Sequence, residues 1–306
     1  MRVFVTGATG FIGRALLLAL EREGHTAVAW VRSEASARAR LGTGIETVDA
    51  TSGQDGMTAA VETCDAVVNL AGEPLLGGRW TARRRATLRR SRVGVTVDLV
   101  GAITAASRRP SVLVSGSAVG YYGDRADELL AEDSDPGSGF LAELCREWET
   151  EARGADALGL RVAVLRTGVV LGRGGGALAQ MLPPFKLGVG GPIGSGRQYL
   201  PWIHLRDMVA VIVAALGDDR VRGPINGVAP EAVTGRDFAK ALGRALQRPA
   251  VLPAPALALR LIFGQAAEVM LASQRVVPAA LERLGFSFAF PTLDAALADV
   301  LGKADR

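Results

Sequence analysis

The chain has 306 residues, 49% of them apolar and 22% charged, with a formal net charge of +4. That suits one large α/β domain with an appended lobe, and it argues against a nucleic-acid binder built on bulk positive charge. No apolar run approaches the roughly 20 residues that cross a bilayer. The opening MRVFVTGATG enters a strand directly, without the charged and apolar regions of a leader, so a cytoplasmic protein with no membrane partner is expected.

Strand and helix signals alternate in chain order. Strands are predicted at 2–6 (RVFVT), 26–31 (TAVAWV), 45–49 (IETVD), 65–72 (DAVVNLAG), 111–117 (SVLVSGS) and 160–166 (LRVAVLR). Helices are predicted at 11–22, from about Thr81 to Ala106, and across 140–157. Continuous apolar strands alternating with helices imply a parallel sheet covered on both faces. Right-handed crossovers then make the fold class α/β, a doubly wound parallel sheet of Rossmann type. After residue 172 the pattern loosens: GRGGGALAQ, PPF and GVGGPIGSG look like loops. YLPWIH (199–204) looks like a strand, 207–216 a helix, and Thr234 the N-cap of a helix to Leu246. The division read from this is a Rossmann domain at 1–172 and a smaller substrate lobe at 173–306, interleaved with the last sheet connections.

TGATGFIG (6–13) ends a strand and opens a helix. Gly7, Gly10 and Gly13 permit a tight turn, close approach of a pyrophosphate, and packing of helix on strand. The helix start adds free amides and a positive dipole end. At the end of the second strand, where a carboxylate would bind a free ribose 2′-hydroxyl, the chain has Arg32 and Ser33. A guanidinium and a hydroxyl suit a 2′-phosphate, so the expected cofactor is NADP. Cys64, Cys145, His25 and His204 are the only cysteines and histidines, and they form neither a disulfide framework nor a metal-ligand spacing. Seven arginines fall in RWTARRRATLRRSR (79–92). They are read as a solvated helix face, with one or two, such as Arg79, open to an acidic small-molecule substrate. No nucleic-acid reading motif accompanies them.

TGATGFIG, NLAG (69–72) and SGSAVGYYG (115–123) together resemble the extended short-chain dehydrogenase/reductase superfamily of sugar-nucleotide epimerases and dehydratases. NLAGEPL, LRTGVVLG (165–172) and SQRVVP (273–278), with the C-terminal region 253–306, resemble its atypical "epimerase family protein" branch, which ends in a domain of unknown function. The resemblance implies that Gly7, Thr9, Gly10, Phe11, Ile12 and Gly13 lie at the pyrophosphate. Arg32 and Ser33 then fall at the adenosine ribose, Asp49 at the adenine, and Leu70, Ala71 and Gly72 under the cofactor's middle. Ser115 and Ser117 fall at the end of the fifth strand, where the superfamily keeps a catalytic hydroxyl.

The superfamily's Tyr-x-x-x-Lys pair would fall at Phe140 and Leu144, and neither can carry a proton. Lysine occurs only at 186, 240 and 303, so the pair cannot be rebuilt nearby. The substitutes are Ser117, Tyr121, Tyr122 and Glu73, with Arg146 as the cation that would lower a tyrosine pKa and His204 as the remaining imidazole. Exchanging Phe140→Tyr together with Leu144→Lys is expected to leave folding intact. Two functions follow. One is an NADP(H)-dependent oxidoreductase or epimerase-like enzyme, transferring hydride on a small polar or nucleotide-linked substrate. The other is a non-catalytic NADPH-binding regulator or redox sensor. The basic helix of 81–106 and the acidic helix of 138–157 form the expected homodimer contact.

Overall fold

The computed structural model describes residues 1–302. Its first half follows the alternation closely: β1 (Arg2–Thr6), α1 (Phe11–Arg22), β2 (Thr26–Val31), α2 (Glu34–Leu41), β3 (Glu46–Asp49), α3 (Gly53–Glu62) and β4 (Ala66–Asn69). Next come α4 (Ala82–Arg89), α5 (Val95–Ala105), β5 (Val112–Ala118), the short β6 (Leu129–Leu130), α6 (Phe140–Arg153), β7 (Arg161–Thr167) and β8 (Val169–Leu171). The remainder is α7 (Gly176–Lys186), β9 (Tyr199–Leu200), β10 (Trp202–His204), α8 (Leu205–Gly217), β11 (Gly223–Gly227), β12 (Val233–Thr234) and α9 (Gly235–Leu246). It ends in α10 (Ala256–Phe263), α11 (Glu268–Leu271), β13 (Arg275–Val276), α12 (Ala279–Arg283) and α13 (Leu293–Leu301).

Seven parallel strands form one sheet in the order β3-β2-β1-β4-β5-β7-β11. The order of strand addition reverses between β1 and β4, which opens a crevice at their carboxyl ends. Alternation along β1 explains the two covered faces. Val3 and Val5 point into the core under α1 and α8, while Phe4 points into the one under α3 and α5. The sequence pattern missed β11, whose GPING segment carries glycine at both ends and Pro224 within. As an edge strand paired only with β7, it needs no donor from Pro224 on its outer side. The sheet thus takes its seventh strand from beyond residue 172.

A third core, with Leu178, Phe185, Trp202, Phe238, Leu242 and Leu297, belongs to the C-terminal lobe. The stretch holding PPF, expected as loop, is instead the end of α7, with Pro183 and Pro184 inside the helix. Burial of Leu178 and Phe185 offsets the lost backbone bonds. SQRVVP ties the lobe to the sheet: β13 pairs with β6, and the Gln274 amide donates to the carbonyls of Val119 and Gly123 (2.9 Å each). Among the described residues no helix is long and apolar enough to cross a membrane.

Candidate functional site

The loop from β1 to α1 is shaped by its glycines. Gly7 has φ +70, and a Cβ there would lie 2.5 Å from the Leu70 carbonyl carbon, so only glycine lets the NLAG loop pass. A Cβ on Gly13 would lie 2.3 Å from the Gly7 oxygen, which holds α1 against the turn. NLAG is fixed by a buried network. The Thr6 hydroxyl donates to Asn69 Oδ1 (2.6 Å), and Asn69 Nδ2 donates to the Thr96 (2.8 Å) and Ser115 (3.4 Å) hydroxyls. Phe11 turns its ring away from the cavity onto the GRGGG loop, where a Cβ at Gly172, Gly175 or Gly176 would meet it within 3 Å. Ile12 packs into the core below.

Above the sheet edge lies a cavity of about 930 Å³. Gly7, Thr9 and Gly10 line one side, Leu70, Ala71, Gly72 and Glu73 the floor, and Arg32 and Arg40 the far wall. Its volume and glycine cradle fit a dinucleotide. The Arg32 side chain is 90% exposed and donates to Glu73 (2.9 Å), whose carboxylate also lies 3.8 Å from Arg84. Arg40 is a cation the sequence reading missed; it sits on α2 rather than at the strand end.

Two residues expected at the adenosine instead organise the backbone. The Ser33 hydroxyl caps α2 by accepting from Ser36 N–H (3.4 Å). The Asp49 carboxylate accepts from the N–H groups of Thr51 (2.8 Å) and Glu34 (3.1 Å), bonds that hold its pKa below the usual value. Neither lines the cavity, where Ala50, Gly53, Gln54 and Met57 take the place expected of Asp49.

The proposed proton carriers separate. Glu73 lines the cavity; Ser117, Tyr121 and Tyr122 do not. Ser117 donates to Glu149 (2.7 Å), and Glu149 is held by both Nε and Nη2 of Arg166 (2.9 Å each), all of it buried. Arg166 Nη1 also donates to the Tyr122 hydroxyl (3.0 Å), which faces Asn226 Oδ1 at 2.7 Å. The cation against the tyrosines is therefore Arg166 on β7, not Arg146, and its guanidinium lies 3.5 Å over the Tyr121 ring. Burial outweighs that cation: Tyr122 is fully buried and its pKa is pushed up to about 12. The signal for Arg166 was an arginine directly following the apolar run VAVL near the end of the strand.

Phe140 stands edge-on to Trp80 (5.2 Å between ring centres), with Arg85 and Arg89 over its face at 5.3 and 5.9 Å. Leu144 is 1% exposed in the same cluster, which Phe263 and Ala266 of the lobe complete. Cys145 is buried, with its thiol pushed up to about 11 mainly by burial. His204 caps α8 through Nδ1 (3.1 Å from Arg206 N), stacks on Phe290 at 3.8 Å, and is held below its ordinary pKa by burial. Arg79 donates to the carbonyls at the end of α10, so it is a C-cap rather than a free anion receptor. Arg89 and Glu147 form a two-pronged pair (2.6 and 2.7 Å) within one chain. The opposite charges that suggested a dimer contact are thus met there internally.

A parallel sheet of this order, with a glycine turn and a long cavity at its switch point, defines the Rossmann class of dinucleotide-binding proteins. The chain belongs to the NAD dependent epimerase/dehydratase family, whose model matches residues 3–226, and a domain of unknown function (DUF1731) matches 254–300. It is 41% identical to the bovine "Epimerase family protein SDR39U1" over 98% of this chain and all of that protein. It is 33% identical to Bacillus subtilis "Epimerase family protein YfhF", over 100% of this chain and 99% of the relative. The crystal structure of human epimerase family protein SDR39U1 (isoform2) with NADPH superposes with a TM-score of 0.90 at 39% identity, covering 99% of this chain and 100% of that one. UDP-N-acetylglucosamine 4-epimerase of Bacillus cereus, at 18% identity and TM-score 0.77 over 98% of both chains, shares the fold.

Proposed function

We propose that this protein binds NADP(H) in the cavity at the β1/β4 edge and uses it for hydride transfer on a small polar or nucleotide-linked substrate. The observation that carries the reading is the pair of guanidiniums, Arg32 and Arg40, on the wall that an adenosine ribose would face beyond the glycine turn. The human relative's structure with NADPH supports it. Gly7, Thr9, Gly10 and Gly13 would hold the pyrophosphate against the start of α1, and Leu70, Ala71 and Gly72 would support the middle. Bound there, the cofactor supplies or accepts the hydride. Of the proton carriers read from the sequence, Glu73 is the carboxylate that lines the cavity, and once Arg32 turns to a 2′-phosphate its remaining cation is Arg84 at 3.8 Å. Ser117, Tyr121 and Tyr122, locked around Arg166 and Glu149, position the end of β5. The Rossmann part at 1–172 and the lobe at 173–306 would meet over the substrate. Two buried free thiols, Cys64 and Cys145, support a reducing compartment such as the cytoplasm.

A second reading, an NADPH-binding regulator without turnover, is favoured by the sealing of Phe140 and Leu144 into an apolar cluster. Deuteride transfer from labelled NADPH into a metabolite extract separates the two. Label transfer that falls in Glu73→Gln supports the enzyme; NADPH binding with no transfer supports the regulator.

A further inference from the structure

We propose that Arg92 and Trp148 form a subsite for a carboxylate of the substrate, beside the middle of the cofactor site. This rests on the NADP(H) reading above. Between α4 and α5 the helix widens into a π-turn at Arg90–Gly94. Such turns insert an extra residue, re-aim the side chains they carry, and recur at functional sites. Here the turn holds Arg92 against the cavity floor. Its Nη2 donates to the Glu73 carbonyl (2.9 Å), and a Cβ on Gly72 would lie 3.1 Å from its Cζ.

Among the described residues no carboxylate forms an ion pair with Arg92. Its acceptors are neutral: the Glu73 carbonyl, the Ser91 hydroxyl (3.3 Å) and the Leu88 carbonyl (3.5 Å). Its Nε–H has no acceptor among the described residues. The neighbouring carboxylates are engaged elsewhere: Glu73 by Arg84 (3.8 Å) as well as by Arg32, Glu147 by Arg89, Asp98 by Arg90 and Glu149 by Arg166. Burial accordingly pushes the Arg92 pKa down. Its guanidinium lies 5.6 Å from the Trp148 ring, and that ring supplies the second observation. Trp148 is 6% exposed, and its buried Nε1–H has no acceptor among the described residues. The ring edge that carries Nε1 is turned to Gly116, where a Cβ would lie 3.1 Å from Cζ2. A cation without a paired carboxylate and a buried donor without an acceptor therefore lie against each other where β5 ends. That is the edge where parallel sheets hold ligands.

A carboxylate answers both deficits. Its two coplanar oxygens match a guanidinium edge, one can also accept from an indole N–H, and a single negative charge balances a single guanidinium. The subsite sets a cation, delivered from another helix, against Trp148, which lies one helical turn on from Leu144, the place of the absent lysine.

The test uses the full chain saturated with NADPH and titrated with malonate, malonamide and inorganic phosphate, read by calorimetry. Malonate is expected to saturate and malonamide to give no heat of binding. Arg92→Gln should weaken malonate about tenfold or more, the loss of a charge-assisted pair, while NADPH affinity stays within about twofold. Arg92→Lys, which keeps charge but not the fork, should fall between and covers the case that the glutamine variant fails to fold. Trp148→Phe should weaken malonate about threefold, through loss of one neutral donor. Equal response to malonate and malonamide, or none to malonate, overturns the proposal. So does tighter binding of phosphate than malonate. A matching loss of NADPH affinity in Arg92→Gln would make Arg92 a cofactor residue instead, and failure of the parent to bind NADPH would overturn the reading beneath it.

Discussion

Replacing Arg32 by alanine should weaken NADPH binding and leave NADH binding nearly unchanged. The magnitude follows from what Arg32 gives up. Its guanidinium donates to Glu73 at 2.9 Å while its side chain is 90% exposed. A surface pair of that kind contributes about 0–1 kcal/mol, and a charge-assisted bond to a 2′-phosphate about 1.5–3 kcal/mol. The net contribution of Arg32 is then about 0.5–3 kcal/mol, or roughly 2- to 150-fold in affinity, with Arg40 retaining part of the phosphate attraction. Glu73→Gln should act oppositely: freeing Arg32 tightens NADPH by up to about fivefold. Calorimetric titration of the three proteins with both cofactors, at low and high salt, measures this. Equal NADPH and NADH affinities in the parent, or unchanged NADPH affinity in Arg32→Ala, would refute the argument.

Three further outcomes are expected. Gly7→Ala should cost about 2 kcal/mol or more, because φ is +70 and the new Cβ meets backbone rather than a movable side chain; a denaturant midpoint and loss of NADPH binding would show it. Leu144→Lys should destabilise by about 3 kcal/mol, since it buries an ammonium in the Trp80–Phe140 cluster, whereas Phe140→Tyr, at a half-buried ring, should cost under about 1 kcal/mol. This corrects the expectation that the double exchange folds normally, and equal urea midpoints for the double variant and the parent would restore it. Tyr122 has a folded pKa of about 12 against an unfolded value of about 10, so its contribution is complete below pH 10 and is lost as pH rises towards 12. Stability measured across that window should fall more steeply in the parent than in Tyr122→Phe.

What the sequence determined by itself is local or periodic. Strands β1 to β5 and β7 are short apolar runs whose alternation with helices needs no tertiary information, and α1 begins and ends where its glycine turn and apolar spacing require. The turn itself follows from backbone sterics within eight residues, and Arg32 follows from counting to the end of β2. The resemblance in NLAG and SQRVVP extended the reading to the lobe. Only the tertiary structure decided what depends on contacts between distant segments. β11 carries too little apolar signal to be seen, and it becomes a strand because β7 offers an unpaired edge. Asp49 and Ser33 stand at cofactor positions in sequence, yet nearby N–H groups claim their oxygens. Ser117 and Tyr122 have reactive hydroxyls, but Arg166 and Glu149, 17 residues apart, draw them into a buried ion-pair network. The charge of Arg92 reads as one of seven in a basic helix until the fold places it against Trp148, 56 residues later. Spacing reveals which groups a chain possesses; which partner each finds depends on burial and charge balance, and those exist only once the chain has packed.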